Sequence, residues 1–208
     1  LNSGRLAGFE ALLRWQHPVS GLLSPDQFIP VAEESGLIEP IGTWVLEQAL
    51  QQIQIWQQMT QRPLFMAVNV SPRQFVHADF AAIVQQALQR CQLSGESLEI
   101  EITESILQDF QRSKQIVEAL RTLGCTVAID DFGTGYSSVS LLRHLPVSRI
   151  KIDRSFVSAL PGRAQDTGLV SAMLGMAHSL GLEVTAEGIE TAEQAAILAG
   201  MANMAAQG

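Results

Sequence analysis

Lysine is nearly missing from this chain. Lys114 and Lys151 are the only two in 208 residues, and all basic side chains number 13 against 21 acids. The resulting formal charge of −8 excludes a protein that coats duplex DNA or RNA, since phosphate contacts need clustered Lys and Arg. Cysteine is equally scarce. Cys91 and Cys125 stand apart, with no C-x-x-C pair and no histidine at ligand spacing beside them. That excludes a thiolate zinc site and a disulfide framework, and the two read as reduced thiols of a cytoplasmic protein. No apolar run approaches the roughly 18 residues that cross a bilayer, so no membrane segment is expected. The first ten residues show no secretory leader, which leaves the glycosylation-type triplet Asn69-Val70-Ser71 without weight. Charged residues make up only 16% and apolar ones 47%, the reverse of a disordered chain.

What is present is a regular alternation. Short, mostly apolar runs bounded by Gly, Pro, Ser or Asp read as strands: Phe9 to Leu13, Leu64 to Val70, Leu98 to Ile102, Thr126 to Ile129, Arg149 to Ile152, and Glu183 to Ala186. Helical patterns lie between them. Ser24-Pro25-Asp26-Gln27, Ser71-Pro72-Arg73-Gln74 and Thr191-Ala192-Glu193-Gln194 each offer a hydroxyl cap with Gln three residues later. Val45, Ala49 and Ile53 recur at helical spacing within Ile41 to Trp56, as do Ile116, Leu120 and Leu123. Strands alternating with helices of this length imply βαβ units, a parallel sheet and one α/β domain. No repeat or linker interrupts it.

Two parallel architectures compete. A doubly wound dinucleotide fold wants a G-x-G-x-x-G turn after its first strand, and none is present. A (β/α)₈ barrel gathers its chemistry at the C-terminal ends of several strands, and the polar residues follow that pattern. Glu10 sits in the first strand, Asn69 near the end of the second, and Glu101, followed by Glu104, in the third. Asp130 and Asp131 follow the fourth, Lys151 and then Asp153 mark the fifth, and Glu187 and Glu190 follow the sixth.

Any one acid closing a strand is usually a helix cap or a solvated turn residue, and a lone lysine between isoleucines can simply face outward. As a set over six strands they point to one rim. Carboxylates buried together without countercharge are very costly, and an all-oxygen set without His or Cys selects hard ions such as Mg²⁺ or Mn²⁺. A metal-assisted hydrolase is the leading reading, with Lys151 placed to orient or help deprotonate a water. Other features carry less. His17, His77, His144 and His178 are scattered over expected helices and loops. Asp131-Phe132-Gly133 lacks the glycine loop and H-R-D of a kinase. Trp15, Trp44 and Trp56 read as packing groups.

The ordered set resembles the EAL domain, the bacterial cyclic-di-GMP phosphodiesterase family. The matching stretches are Glu10-Ala11-Leu12, Asn69-Val70-Ser71, Glu101-Ile102-Thr103-Glu104, Asp130-Asp131-Phe132-Gly133-Thr134-Gly135-Tyr136-Ser137, Lys151-Ile152-Asp153, Ala186-Glu187-Gly188-Ile189-Glu190 and Gln207-Gly208. The resemblance implies a modified (β/α)₈ TIM-type barrel that cuts one phosphodiester bond of cyclic-di-GMP to give linear pGpG, using two Mg²⁺ or Mn²⁺ ions. Glu10, Asn69, Glu101 and Asp130 would hold the first ion, and Asp130 would bridge to a second held with Asp131. Lys151 would position the attacking hydroxide, and Glu187 would act near the second ion or as a base. Arg14 would meet a phosphate and Asp153 a guanine edge, with Leu12 and Gln207 also facing substrate. Glu104 would brace the loop from Asp131 to Ser138, which couples metal binding to dimer contacts.

The same resemblance implies a homodimer and fused or associated sensor or GGDEF cyclase domains upstream. Residues 1–208 then form a single EAL domain, incomplete at both ends. Its first strand would lie before Leu1, and its last would be cut short near Gln207-Gly208. The alternative function is an inactive EAL domain that serves as a cyclic-di-GMP receptor or interaction module. Eight acids against two cations at the proposed site account for most of the −8.

Overall fold

The computed structural model describes residues 1, 3–77, 79–135, 139–202 and 204–208. Its first half runs β1 (Gly8–Ala11), β2 (Trp15–His17), β3 (Gly21–Leu23), α1 (Pro25–Ser35), α2 (Ile38–Thr60), β4 (Phe65–Asn69), α3 (Pro72–Phe75) and α4 (Phe80–Arg90). The second half runs β5 (Leu98–Thr103), α5 (Phe110–Thr122), β6 (Thr126–Phe132), α6 (Val139–Leu142), β7 (Arg149–Ile152), α7 (Arg154–Ser158), α8 (Ala164–Ser179), β8 (Glu183–Ala186), α9 (Ala192–Met201) and β9 (Ala205–Ala206).

Seven strands form one parallel sheet in the order β1-β4-β5-β6-β7-β8-β9, while β2 and β3 pair as a separate antiparallel hairpin. The order keeps chain order, with helices between most neighbours, as βαβ winding requires. The sheet curls until its outer strands approach each other. The Gln207 amide, just past β9, donates to Glu10 of β1, and the Leu1 amino group donates to the Met204 carbonyl at 2.6 Å. The result is the expected (β/α)₈-type barrel in open, seven-stranded form.

Alternation along the strands sorts the interior. Met66, Val68, Leu98, Ile100, Ile102, Val127, Ile129 and Ile150 point outward into the helix-facing core, together with Leu50, Ile53, Val84, Val117 and Leu120. Each such side chain, fully buried, contributes about 1.5–3 kcal/mol, so this outer shell holds the helices on. The other parity, with Ala67, Glu99, Glu101, Arg149, Lys151 and Thr185, lines the inside. A barrel interior is usually filled by Val, Ile and Leu. This one is lined largely by small and charged groups, with the Phe65 ring against Arg149.

The helix starts follow the capping boxes. Ser71 and Gln74 exchange backbone bonds of 3.3 and 3.4 Å, and Thr191 and Gln194 do so at 3.2 and 3.0 Å. Sequence reasoning finds six of the seven sheet strands. It misses β9, because Ala205–Ala206 has neither β-branching nor alternation, and it misses the short β2–β3 hairpin, which places His17 in a strand. It also runs β1 two residues past Ala11 and stops β6 three short of Phe132. Trp56 packs on Phe9 with ring centroids 4.3 Å apart, but Trp15 and Trp44 are 46% and 54% exposed rather than core. Cys91 and Cys125 are free and buried. Among the described residues no helix is long and apolar enough to cross a membrane.

Candidate active site

Register alone brings the polar residues to one end of the barrel. Asn69 on β4 pairs with Glu101 on β5, Thr103 with Asp130 on β6, and Lys151 on β7 with Thr185 on β8. Glu187 follows β8 directly, its N–H bonded to the Ile152 carbonyl at 3.2 Å. Glu10, Asn69, Glu101, Asp130, Lys151, Glu187 and Gln207 thus converge from six strand ends and the segment after β9.

Lys151 is the hub. Its side chain is 2% exposed, with Nζ 2.6 Å from Glu187 Oε1, 2.7 Å from Glu101 Oε1, 3.5 Å from Asp130 Oδ1 and 3.9 Å from Glu10 Oε2. Burial works against its charge, but the carboxylates of Glu101 and Asp130 and the bonds to Glu101 and Glu187 outweigh that and hold the ammonium above its ordinary range. Glu101 is pushed up to about 8 by burial and by the charges of Glu10 and Asp130, against the pull of Lys151. Burial also raises Glu187. Asn69 Nδ2 donates to Glu10 Oε1 at 2.6 Å, and Gln207 donates to Oε2, so both Glu10 oxygens are held.

Neighbouring residues on a regular strand face opposite ways, yet Asp130 and Asp131 both serve this rim. The register of β6 slips against β7 between Ile129 and Phe132, and Asp131 takes φ 51°, in the left-handed region. Carboxylate oxygens of Asp130, Asp131 and Glu187 thereby lie within 4.8 Å of one another. Burial, then the Asp130 and Asp153 charges, raises the Asp131 carboxyl. This bulge is why β6 runs on through both acids.

Glu104 closes the site from the side. Its Oε1 accepts the Gly133 N–H at 2.9 Å, and a side chain at Gly135 would collide with Oε2. Gly133 itself has φ 99°, where L side chains are strained. Tyr136, Ser137 and Ser138, the rest of the loop expected to run from Asp131, lie outside the described residues.

Other expected site residues stand off from the hub. Among the described residues Arg14 donates to the adjacent Leu13 carbonyl alone, at 2.7 Å, and Leu12 is 58% exposed. Asp153 caps α7 by accepting the Ser155 N–H at 3.0 Å. Burial notwithstanding, the Ser155 hydroxyl and the local N–H groups hold its carboxyl below the usual range. Glu190 is exposed, with its N–H on Gln194.

A second charged layer was not anticipated. One step down the same strands, Arg149 Nη1 contacts Glu99 at 2.7 and 3.0 Å, and Nη2 contacts Glu183 at 2.5 Å. Glu99 alternates with Leu98 and Ile100 just as Glu101 alternates with its neighbours. That rhythm was the available signal.

The donor set suits hard divalent cations. All candidate ligand atoms are oxygen, from Glu10, Asn69, Glu101, Asp130, Asp131 and Glu187. Among the described residues the buried Oε2 of Glu101 has no hydrogen-bond partner, and an orphaned carboxylate oxygen is costly unless a cation or donor meets it.

Known proteins share this fold. The family model described as "EAL domain" matches residues 1–208. The chain is 44% identical over 193 residues to the bifunctional diguanylate cyclase/cyclic di-GMP phosphodiesterase MucR of Pseudomonas aeruginosa, covering 92% of this chain and 28% of MucR. It is 39% identical over 199 residues to the cyclic di-GMP phosphodiesterase NbdA of the same organism, covering 95% of this chain and 25% of NbdA. The chain therefore spans about a quarter of these curated relatives. The solved phosphodiesterase PaMucR in complex with c-di-GMP superposes with a TM-score of 0.93 at 43% identity, covering 99% of this chain and 83% of that one. With so much of the fold shared and no residue left outside the family match, the chain belongs to the EAL domain family.

Proposed function

We propose that the chain hydrolyses one phosphodiester bond of cyclic-di-GMP to give linear pGpG, with two Mg²⁺ or Mn²⁺ ions. The observation that carries this reading is the buried Lys151 ammonium held between Glu101 and Glu187 beside the Asp130-Asp131 pair. Glu10, Asn69, Glu101 and Asp130 would hold one ion, and Asp130, Asp131 and Glu187 the other. When bound, such ions would supply an ionised water at neutral pH and charge stabilisation of the phosphoryl oxygens.

The protein's own groups do the rest. Lys151 orients the attacking water and offsets negative charge that grows on the phosphate. Glu187 takes or relays its proton. Gln207 and Asn69 fix Glu10 through its two oxygens. Arg14, unengaged by any carboxylate among the described residues, takes a substrate phosphate, while Leu12 and Asp153 meet the guanine. Glu104 braces the loop behind Asp131.

Residues 1–208 act as one EAL domain whose open sheet takes a further strand, within a homodimer and beside sensor or GGDEF domains. Hydrolysis of cyclic-di-GMP, measured with Mg²⁺ and with Mn²⁺ on the chain and on a version extended at both ends, tests the proposal. Appearance of pGpG that EDTA abolishes is expected. Tight binding of cyclic-di-GMP with no turnover under either ion would make the domain a receptor instead.

A further inference from the structure

The interior holds two stacked layers of the same design, each a cation between two carboxylates. The upper is Glu101–Lys151–Glu187, and the lower is Glu99–Arg149–Glu183, whose Glu183 side chain is 69% exposed. Residues two apart on a strand are about 6.6 Å apart and face the same way. Glu99 therefore lies one such step below Glu101, and Arg149 one below Lys151. Glu99 is 4% exposed and Arg149 13%. All four inner groups line one cavity of about 730 Å³, so no packed apolar layer separates Lys151 from Glu99. Arg149 spans two carboxylates with separate nitrogens, Nη1 on both oxygens of Glu99 and Nη2 on Glu183, which the single ammonium nitrogen of a lysine does not match.

An uncompensated carboxylate at position 99 would be costly in this interior, and Lys151, which lines the same cavity, is a mobile cation able to relieve it. We propose that Arg149 is a positioning residue for Lys151: by holding Glu99 it keeps that carboxylate from drawing the ammonium away from Glu101 and Glu187. Arg149 touches no substrate in this scheme. It acts on the chemistry through the lysine alone.

The scarcity of lysine makes the test direct. Labelling with ¹⁵N-lysine gives two side-chain ammonium signals, from buried Lys151 and from half-buried Lys114 on α5, which serves as the internal control. In Arg149→Met the Lys151 signal is expected to move while that of Lys114 stays. In the charge-balanced double variant Glu99→Gln/Arg149→Met it is expected to return. Should Arg149→Met fail to fold, Arg149→Gln, which keeps hydrogen bonding without the charge, carries the same expectation. A Lys151 signal unmoved in the single variant, or equally displaced in the double, overturns the proposal.

The kinetic arm rests on the phosphodiesterase reading. Arg149→Met should lower kcat by about tenfold or more, a part of the 10²–10⁴ that a positioned proton-transfer group supplies, with KM unchanged and kcat recovered in the double variant. A role confined to gluing strands would instead make losses follow thermal stability, lowest in the double. Should the wild type hydrolyse nothing, the phosphodiesterase reading fails, and the ammonium signals still decide the role of Arg149.

Discussion

Lys151 meets Glu101 at 2.7 Å in the middle of the barrel, and both side chains are at most 2% exposed. Neither group would be stable there alone. Breaking such a buried pair from one side costs about 3–5 kcal/mol, since the remaining charge is left uncompensated.

Lys151→Met is accordingly expected to lower the unfolding free energy of the metal-free chain by about that amount, and Mn²⁺ should recover part of it. Hydrolysis should fall by about 10²-fold or more while cyclic-di-GMP still binds. Urea unfolding and calorimetry check both halves. A variant of wild-type stability in EDTA would contradict the pairing.

Metal-free stability should depend on pH with a definite sign. Glu101 rises from 4.5 to about 8 in the folded chain, and Asp131, Glu187 and Glu99 shift upward as well. The native state then binds more protons than the unfolded one across that interval, so stability falls as pH climbs from about 4.5 to 8. Divalent ions need Glu101, Asp131 and Glu187 ionised, so the gain in Tm from Mn²⁺ should grow over the same window. Melting curves in EDTA that rise between those pH values would refute it.

Asp131 tests backbone strain apart from charge. Asp131→Gly and Asp131→Ala both delete the carboxylate, but only glycine accepts φ 51° freely. The alanine variant should be less stable than the glycine variant by about 1–2 kcal/mol, reversing the usual order for a strand. Equal denaturation midpoints would mean that the bulge relaxes at no cost.

Glu104→Ala removes the acceptor for the Gly133 N–H. One exposed hydrogen bond contributes only about 0.5–1.5 kcal/mol, so Tm should hardly move. Affinity for the ion held through Asp131, and turnover with it, should drop by about tenfold, as outer-shell partners of a metal site typically cost when lost. An unchanged metal titration would leave Glu104 without the bracing role.

Much of this site was legible because its signals are local. Glu101 between Ile100 and Ile102, and Lys151 between Ile150 and Ile152, declare their facing by alternation alone, and the acids after each strand follow from parallel winding. What escaped depends on several strands at once. The slip at Ile129–Phe132 exists only relative to β7, and β9 is two alanines made into a strand by β8. Glu99 and Arg149 carried the same alternating mark as their neighbours, but their mutual contact is a fact of barrel geometry. Asp153 also caps a helix start by accepting the Ser155 N–H, and Glu190 gives its backbone N–H to Gln194.

The sorting of side chains by parity implies an uneven rhythm of mutational tolerance. A saturation scan along β5 should read as a beat of two. Leu98, Ile100 and Ile102 should exchange freely among aliphatic residues, while Glu99 and Glu101 between them admit almost nothing. The beat should skip in β6, where the extra residue at Asp130-Asp131 shifts the register and Asp131, at φ 51°, favours glycine over other replacements. A folding library could locate the bulge from that missed beat, with no assay of catalysis at all.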